Sequence, residues 1–171
     1  MREIGNWRGR ARGAALLAAM AAALGPADAQ ERATPGAASA AVAEERLALV
    51  TASGTHPLDV ELATTPEKQA LGLMFRTSLP AGKGMLFVHG AERELTMWMR
   101  NTYIPLDMVF IRADGTVHRI EARAEPLSER VIPSQGPVAA VLEIAGGEAA
   151  RLGLKPGDKV RHRVFGPAPS K

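Results

Sequence analysis

Arg76 and the run Trp98-Met99-Arg100-Asn101-Thr102-Tyr103-Ile104-Pro105-Leu106-Asp107 hold the side chains best suited to chemistry in this chain. An indole offers a flat face for a sugar ring or a cation and one N–H donor. Two guanidiniums, an amide and a hydroxyl add directional hydrogen bonding. Asp107 opens the apolar stretch Leu106–Ile111, where a carboxylate needs either a partner or water. Arg76 and Arg100 are its expected partners by character, in an Arg–Asp lock. Arg76, Trp98, Arg100, Asn101, Thr102 and Asp107 are therefore the candidate ligand-binding residues. The plainer alternative makes Trp98 a cap on the end of a barrel, with only an edge exposed.

Acid–base catalysis requires two carboxylates, or a carboxylate and a His, in convergent positions. Asp107 and Glu143 are the best pair available, because Glu143 also interrupts an apolar run, Val138–Ile144. They are the candidate catalytic residues of a hydrolase, the alternative to a binding domain; the balance leans away from an enzyme. Met74, Met85, Met97, Met99 and Met108 with His56, His89, His118 and His162 raise the question of copper. The histidines lack ligand spacing with one another, and Met is a common filler of irregular cores. No metal site and no cofactor are expected. The sequence around Lys83 lacks the phosphate-loop pattern, and the serines lack a nucleophile elbow.

The elements that must position these residues are mostly strands. His56, Leu58, Val60 and Leu62 alternate with Pro57, Asp59 and Glu61, a period of two that puts four large side chains on one sheet face. Pro57 marks the start of that strand as an edge. Leu47–Val50, Met85–Val88, Glu94–Met99, Asp107–Ile111, Val117–Ala122, Val138–Ile144 and Lys159–Phe165 are the other expected strands, with a hairpin at Asp114-Gly115. Alternation places Leu95, Met97 and Met99 on a core face and Trp98 beside Arg100 on the other. Thr64-Thr65-Pro66-Glu67 begins a short helix, with either Thr64 or Thr65 as its cap. A second helix spans Gly147 to Leu152 and stops at Gly153. The expected fold is mainly β: one compact barrel or sandwich-like domain with two short helices.

The ends of the chain carry a different message. Arg2, Arg8, Arg10 and Arg12 precede an uncharged Ala/Leu-rich run from Gly13 to Gly25, and Ala27-Asp28-Ala29 has the small residues of a cleavage site. Residues 1–29 read as a signal peptide, 30–45 as a flexible leader, 46–166 as the folded domain and 167–171 as a frayed tail. The expected location is periplasmic or secreted, with no stable membrane anchor after cleavage. Of 21 basic and 18 acidic residues, 17 and 16 remain beyond position 29, which argues against nucleic acid as a partner. The chain has no cysteine, so an exported domain must rest on its hydrophobic core.

Gly72-Leu73-Met74-Phe75-Arg76, Gly84-Met85-Leu86-Phe87-Val88, Met97–Ile111 and the later Val141–Gly147 and Gly153–Val160 together resemble the DUF192 family. The likeness spans roughly residues 55 to 163, and Trp-Met-x-Asn-Thr-x-Ile-Pro-Leu-Asp is its most specific string. Arg100 stands where many relatives have Lys. The resemblance implies a compact, mainly β, often exported domain of uncharacterised function, with the motif residues gathered in one part of the fold. It carries no catalytic mechanism. Taken together, the residues point to a small exported binding or accessory domain for a saccharide, cell-envelope fragment or short peptide.

Overall fold

The computed structural model describes residues 44–166. The expected signal peptide, most of the leader and the tail from 167 lie outside the described residues. Seven strands and two helices follow in the order β1 (Glu44–Thr51), β2 (Gly54–Ala63), α1 (Pro66–Leu71), β3 (Lys83–Met97), β4 (Leu106–Ile111), β5 (Val117–Ala124), β6 (Ile132–Ala145), α2 (Glu148–Arg151) and β7 (Lys159–Arg161). One sheet contains all seven strands in the order β5-β4-β6-β3-β2-β1-β7. Its two edges meet: Val117 N–H donates to the Asp158 carbonyl and Val160 N–H to the Gly115 carbonyl, both at 2.8 Å. These bonds curl the sheet into a partly closed barrel and cover edges that would otherwise invite pairing.

The mainly β expectation holds, with particular differences. Met85–Val88 and Glu94–Met99 belong to one fifteen-residue strand, β3, whose pairing with β6 is interrupted between Val88 and Arg93. Extra residues at such bulges bend a strand sharply, which the period-two pattern reads as a break. Pro57 is not on an edge strand, since β2 lies between β1 and β3. The parallel partner β3 joins only from Asp59, so the ladder at Pro57 is one-sided and its missing N–H is tolerated. Thr65, not Thr64, caps α1: its Oγ1 accepts from the Lys68 N–H at 3.3 Å, with Pro66 in the first turn. β1 begins at Glu44, two residues before the expected domain start.

Because side chains alternate across a strand, this sheet supports a core on each face. Leu47, Leu49, Leu58, Leu86, Val109, Leu142 and Ile144 fill one face, which the α2 segment covers with Ala149 and Leu152. Met85, Phe87, Leu106, Met108, Phe110 and Val141 occupy the other, packed beneath Leu73, Leu95 and Met99. Each fully buried Leu, Phe or Met contributes roughly 1.5–3 kcal/mol. Two cores explain how a chain without disulfides holds together.

Candidate functional site

The strand register builds a row of side chains across the second core. Glu61 of β2 faces Met85 of β3, Met85 faces Glu143 of β6, Glu143 faces Met108 of β4, and Met108 faces Glu121 of β5. Acid and thioether thus alternate over five strands, with opposed Cβ atoms about 5 Å apart. The acids at each end are neutralised. Arg76 donates to both Glu61 oxygens, Nη1 to Oε1 at 2.5 Å and Nη2 to Oε2 at 2.7 Å. Glu121 is held between Arg119 and Arg130. Burial raises the Glu121 pKa, but hydrogen bonds and charge from the two arginines outweigh it and bring the group below its usual range. Arg119 also lies over the Phe110 ring, 5.3 Å from its centroid.

Glu143, in the middle, differs. It is 4% exposed. No hydrogen bond or charge from the described residues acts on its carboxyl, and burial alone pushes its pKa to about 8. The carboxyl is therefore mostly protonated at neutral pH, able to donate one hydrogen bond and accept others.

Beside it lies a cavity of about 250 Å³, walled by Gly72, Leu73, Phe87, Met97 and Trp98 and touched by His89, Thr102 and Glu143. Gly72 ends α1 at φ +50°, and a Cβ there would come within 3.0 Å of the Phe87 ring, so the helix end lies flat on the aromatic wall. Gln69 anchors α1, its Nε2 donating to the carbonyls of Ala63 (3.2 Å) and Val88 (2.8 Å). His89 accepts at Nδ1 from Arg93 at 3.3 Å, which puts the proton of the neutral ring on Nε2. That Nε2 is buried without a partner among the described residues. Burial, then the Arg93 charge, lowers the His89 pKa, so the ring is neutral at pH 7. Trp98 stands at the mouth, 47% exposed, with the Arg100 guanidinium 5.8 Å from its centroid.

The loops next to the cavity-lining residues Met74 and Thr102 carry exposed apolar side chains and costly backbone conformations. Leu71, Phe75, Tyr103, Leu127 and Val131 are all about half exposed. Phe75 and Tyr103 meet edge-on with centroids 6.2 Å apart. These loops are stitched together by Phe75 N–H to the Asn101 carbonyl (2.8 Å) and Leu127 N–H to the Thr102 carbonyl (3.0 Å). Phe75, Asn101 and Leu127 have φ of 64°, 55° and 62°. A bulky residue rarely adopts such a conformation, and the cost is of order 1–3 kcal/mol each. Both Phe75 and Leu127 stay more than half exposed in these conformations, with the Tyr103 edge contact against Phe75.

Of the sequence-derived binding set, Trp98 and Thr102 line the cavity. The other four do not. Arg76 is committed to Glu61. Arg100 pairs with Glu129 at 3.2 Å on the surface. Asn101 holds the turn and reaches the Met74 sulfur at 3.9 Å. Asp107 is fully buried and accepts three backbone N–H groups: Arg123 and Gly147 at Oδ1 (2.8 and 2.9 Å) and Ala149 at Oδ2 (2.8 Å). The expected Arg–Asp lock is thus replaced by backbone amides from the β5 bend and the start of α2. The Asp107/Glu143 pair does not converge either. In the ladder Asp107 faces Ile144, on the first core, while Glu143 faces Met108, on the second. Phe87 was not among the sequence candidates, and His89 entered only among the histidines weighed for copper; the signal that pointed this way was Glu143 itself, an acid in an apolar strand.

No curated protein matches this chain. Two solved structures do: a proposed transcription regulator from Sinorhizobium meliloti 1021 and a protein of unknown function from Novosphingobium aromaticivorans DSM 12444. The first is 50% identical, with a TM-score of 0.68 over 70% of this chain and 94% of the other. The second is 49% identical, with the same TM-score over 70% and 85%. The profile of DUF192, described as Uncharacterized ACR, matches residues 48–162. That span takes in every strand that builds the cavity, and the chain belongs to the DUF192 family.

Proposed function

We propose that this domain is a small-ligand-binding module whose site is the cavity under Trp98, with Glu143 as its polar anchor. The observation that carries the reading is a carboxyl 4% exposed, without a partner among the described residues, at the wall of a cavity lined mainly by apolar side chains with a few polar groups. Pockets of this make-up, apolar walls with a few convergent polar groups, are where proteins take small molecules. Exposed Leu71 and Trp98 add apolar surface where the cavity opens to solvent. The signal-like residues 1–29 support a module in the periplasm or outside the cell, where a cell-envelope saccharide or peptide would be the available ligand. The transcription-regulator description of the Sinorhizobium protein is not extended to this chain. The described helices have six and four residues, and no Lys or Arg lines the cavity to meet a phosphate.

Trp98 is a built-in reporter, since the chain's other tryptophan is Trp7. In a Trp7→Phe background, titration with soluble muropeptides should shift Trp98 emission saturably, and Gly72→Leu, which fills the cavity wall, should abolish the shift. Emission indifferent to muropeptides at millimolar concentration, together with no retained small molecule in native mass spectrometry of the exported protein, would remove the reading.

A further inference from the structure

The row Glu61–Met85–Glu143–Met108–Glu121 has a repeating logic with one member missing. Each outer carboxylate is matched by guanidinium: Arg76 at Glu61, Arg119 and Arg130 at Glu121. The central carboxylate has none, although it is the most deeply buried of the three. None of those arginines turns towards it; Arg76 spends both terminal nitrogens on Glu61. A methionine would suit the same position, as Met85 and Met108 show on either side. Burying an acid where an apolar side chain fits is unfavourable for folding. It is intelligible if the acid's cation arrives from outside, through the cavity it borders.

Resting on the cavity reading above, we propose that the ligand carries a single organic ammonium group on a short apolar stem, and that this group completes the row at Glu143. The walls suit such a stem. Phe87 and Trp98 present aromatic surface, which attracts cations as well as alkyl groups, and Leu73, Met74 and Met97 supply apolar contact. Thr102 and His89 can hydrogen-bond neutral parts of the ligand. A hard metal ion is less well served: no group of three His, Asp or Glu gathers among the described residues. The ammonium meets a carboxyl that is protonated when the cavity is empty, so binding below about pH 8 must displace a proton into solvent. The other charged groups around the row are Glu61 with Arg76 and Glu121 with Arg119 and Arg130, already matched in salt bridges. Burial and then the Arg93 charge lower the His89 pKa, so its ring stays neutral at pH 7.

The test uses the full chain with Trp7→Phe and three probes of one size: n-hexylammonium, 1-hexanol and hexanoate. The proposal expects hexylammonium to bind at least tenfold more tightly than hexanol, with hexanoate weakest. Calorimetry in buffers of different ionisation enthalpy should show release of close to one proton at pH 7. Glu143→Gln should erase both the preference and the proton release while circular dichroism stays native, and Glu143→Met should do the same. If hexanol binds as well as hexylammonium, or Glu143→Gln leaves the preference intact, the ammonium assignment falls and the cavity reading survives. Silence from all three probes while muropeptides still bind likewise overturns only the assignment; silence in both titrations overturns the assignment, and with no small molecule retained in native mass spectrometry it removes the cavity reading too. Given support, N-acetyl-lysine methylamide and glucosamine separate the two sources of the amine: a tighter lysine derivative points to peptide, and a tighter glucosamine to amino sugar.

Discussion

Asp107 and Glu143 lie on neighbouring strands within one register step, and both are buried, yet they are opposite cases of an acid in a core. Asp107 has three backbone N–H donors converging on it from two separate segments. It thereby satisfies amides at the Arg123 bend and at the start of α2 that no nearby backbone carbonyl takes up. Glu143 has no donor at all from the described residues and borders a cavity. The first acid holds loops to the barrel. The second weakens the fold, which is the mark of a group retained for another purpose.

The largest effect should come from removing the first. Asp107→Ala leaves one buried and two part-buried backbone donors without an acceptor; at about 1–3 kcal/mol for the buried one and toward the low end for the other two, a loss of roughly 3–5 kcal/mol in urea unfolding is expected. A change under 1 kcal/mol would mean that water replaces the carboxylate without penalty. Glu143→Met should act in the opposite direction, raising stability by about 1–3 kcal/mol at pH 8.5 while binding is lost. Destabilisation there would mean that Glu143 holds the fold after all.

Glu143 also carries a pH signature. The folded protein holds the Glu143 proton to about pH 8, whereas the unfolded chain releases it near 4.5. Between those values the native state binds more protons, so stability falls as pH rises, by at most about 1.4 kcal/mol per unit, and levels off above pH 8. Subtracting the melting curves of Glu143→Gln from those of the native chain isolates this slope, and a flat difference from pH 5 to 8 would contradict the burial of an unpartnered acid. A smaller effect belongs to Arg76→Ala. It strands Glu61, whose side chain is 13% exposed, and should cost about 1–2 kcal/mol. Arg100→Ala breaks a pair in which both side chains are more than half exposed, and thermal melts should barely register it.

Much of the architecture could be read in advance because alternation is local: His56 to Leu62, Asp107 to Ile111 and Val138 to Ile144 all became strands. The cap at Thr65 and the turn at Asp114-Gly115 were likewise readable, as each depends on a few adjacent residues. The bend inside β3 was not, since a bulge is set by what the partner strand does across the ladder. Site residues divided in the same way. Trp98 and Thr102 were identifiable by their chemistry and do line the cavity. Arg76 and Arg100 were assigned the wrong carboxylates, because ion pairing depends on distance and several acids were equally eligible on charge alone.

Residue order was sufficient to establish a β domain, the positions of its short helices and the presence of two acids in apolar strands. It could not assign either acid to a face, a donor or a cavity. Those outcomes depend on strand order and register: a shift of one residue in the ladder exchanges the two faces of the sheet. Folding to this register put Asp107 under converging amides and left Glu143 between two methionines with no cation.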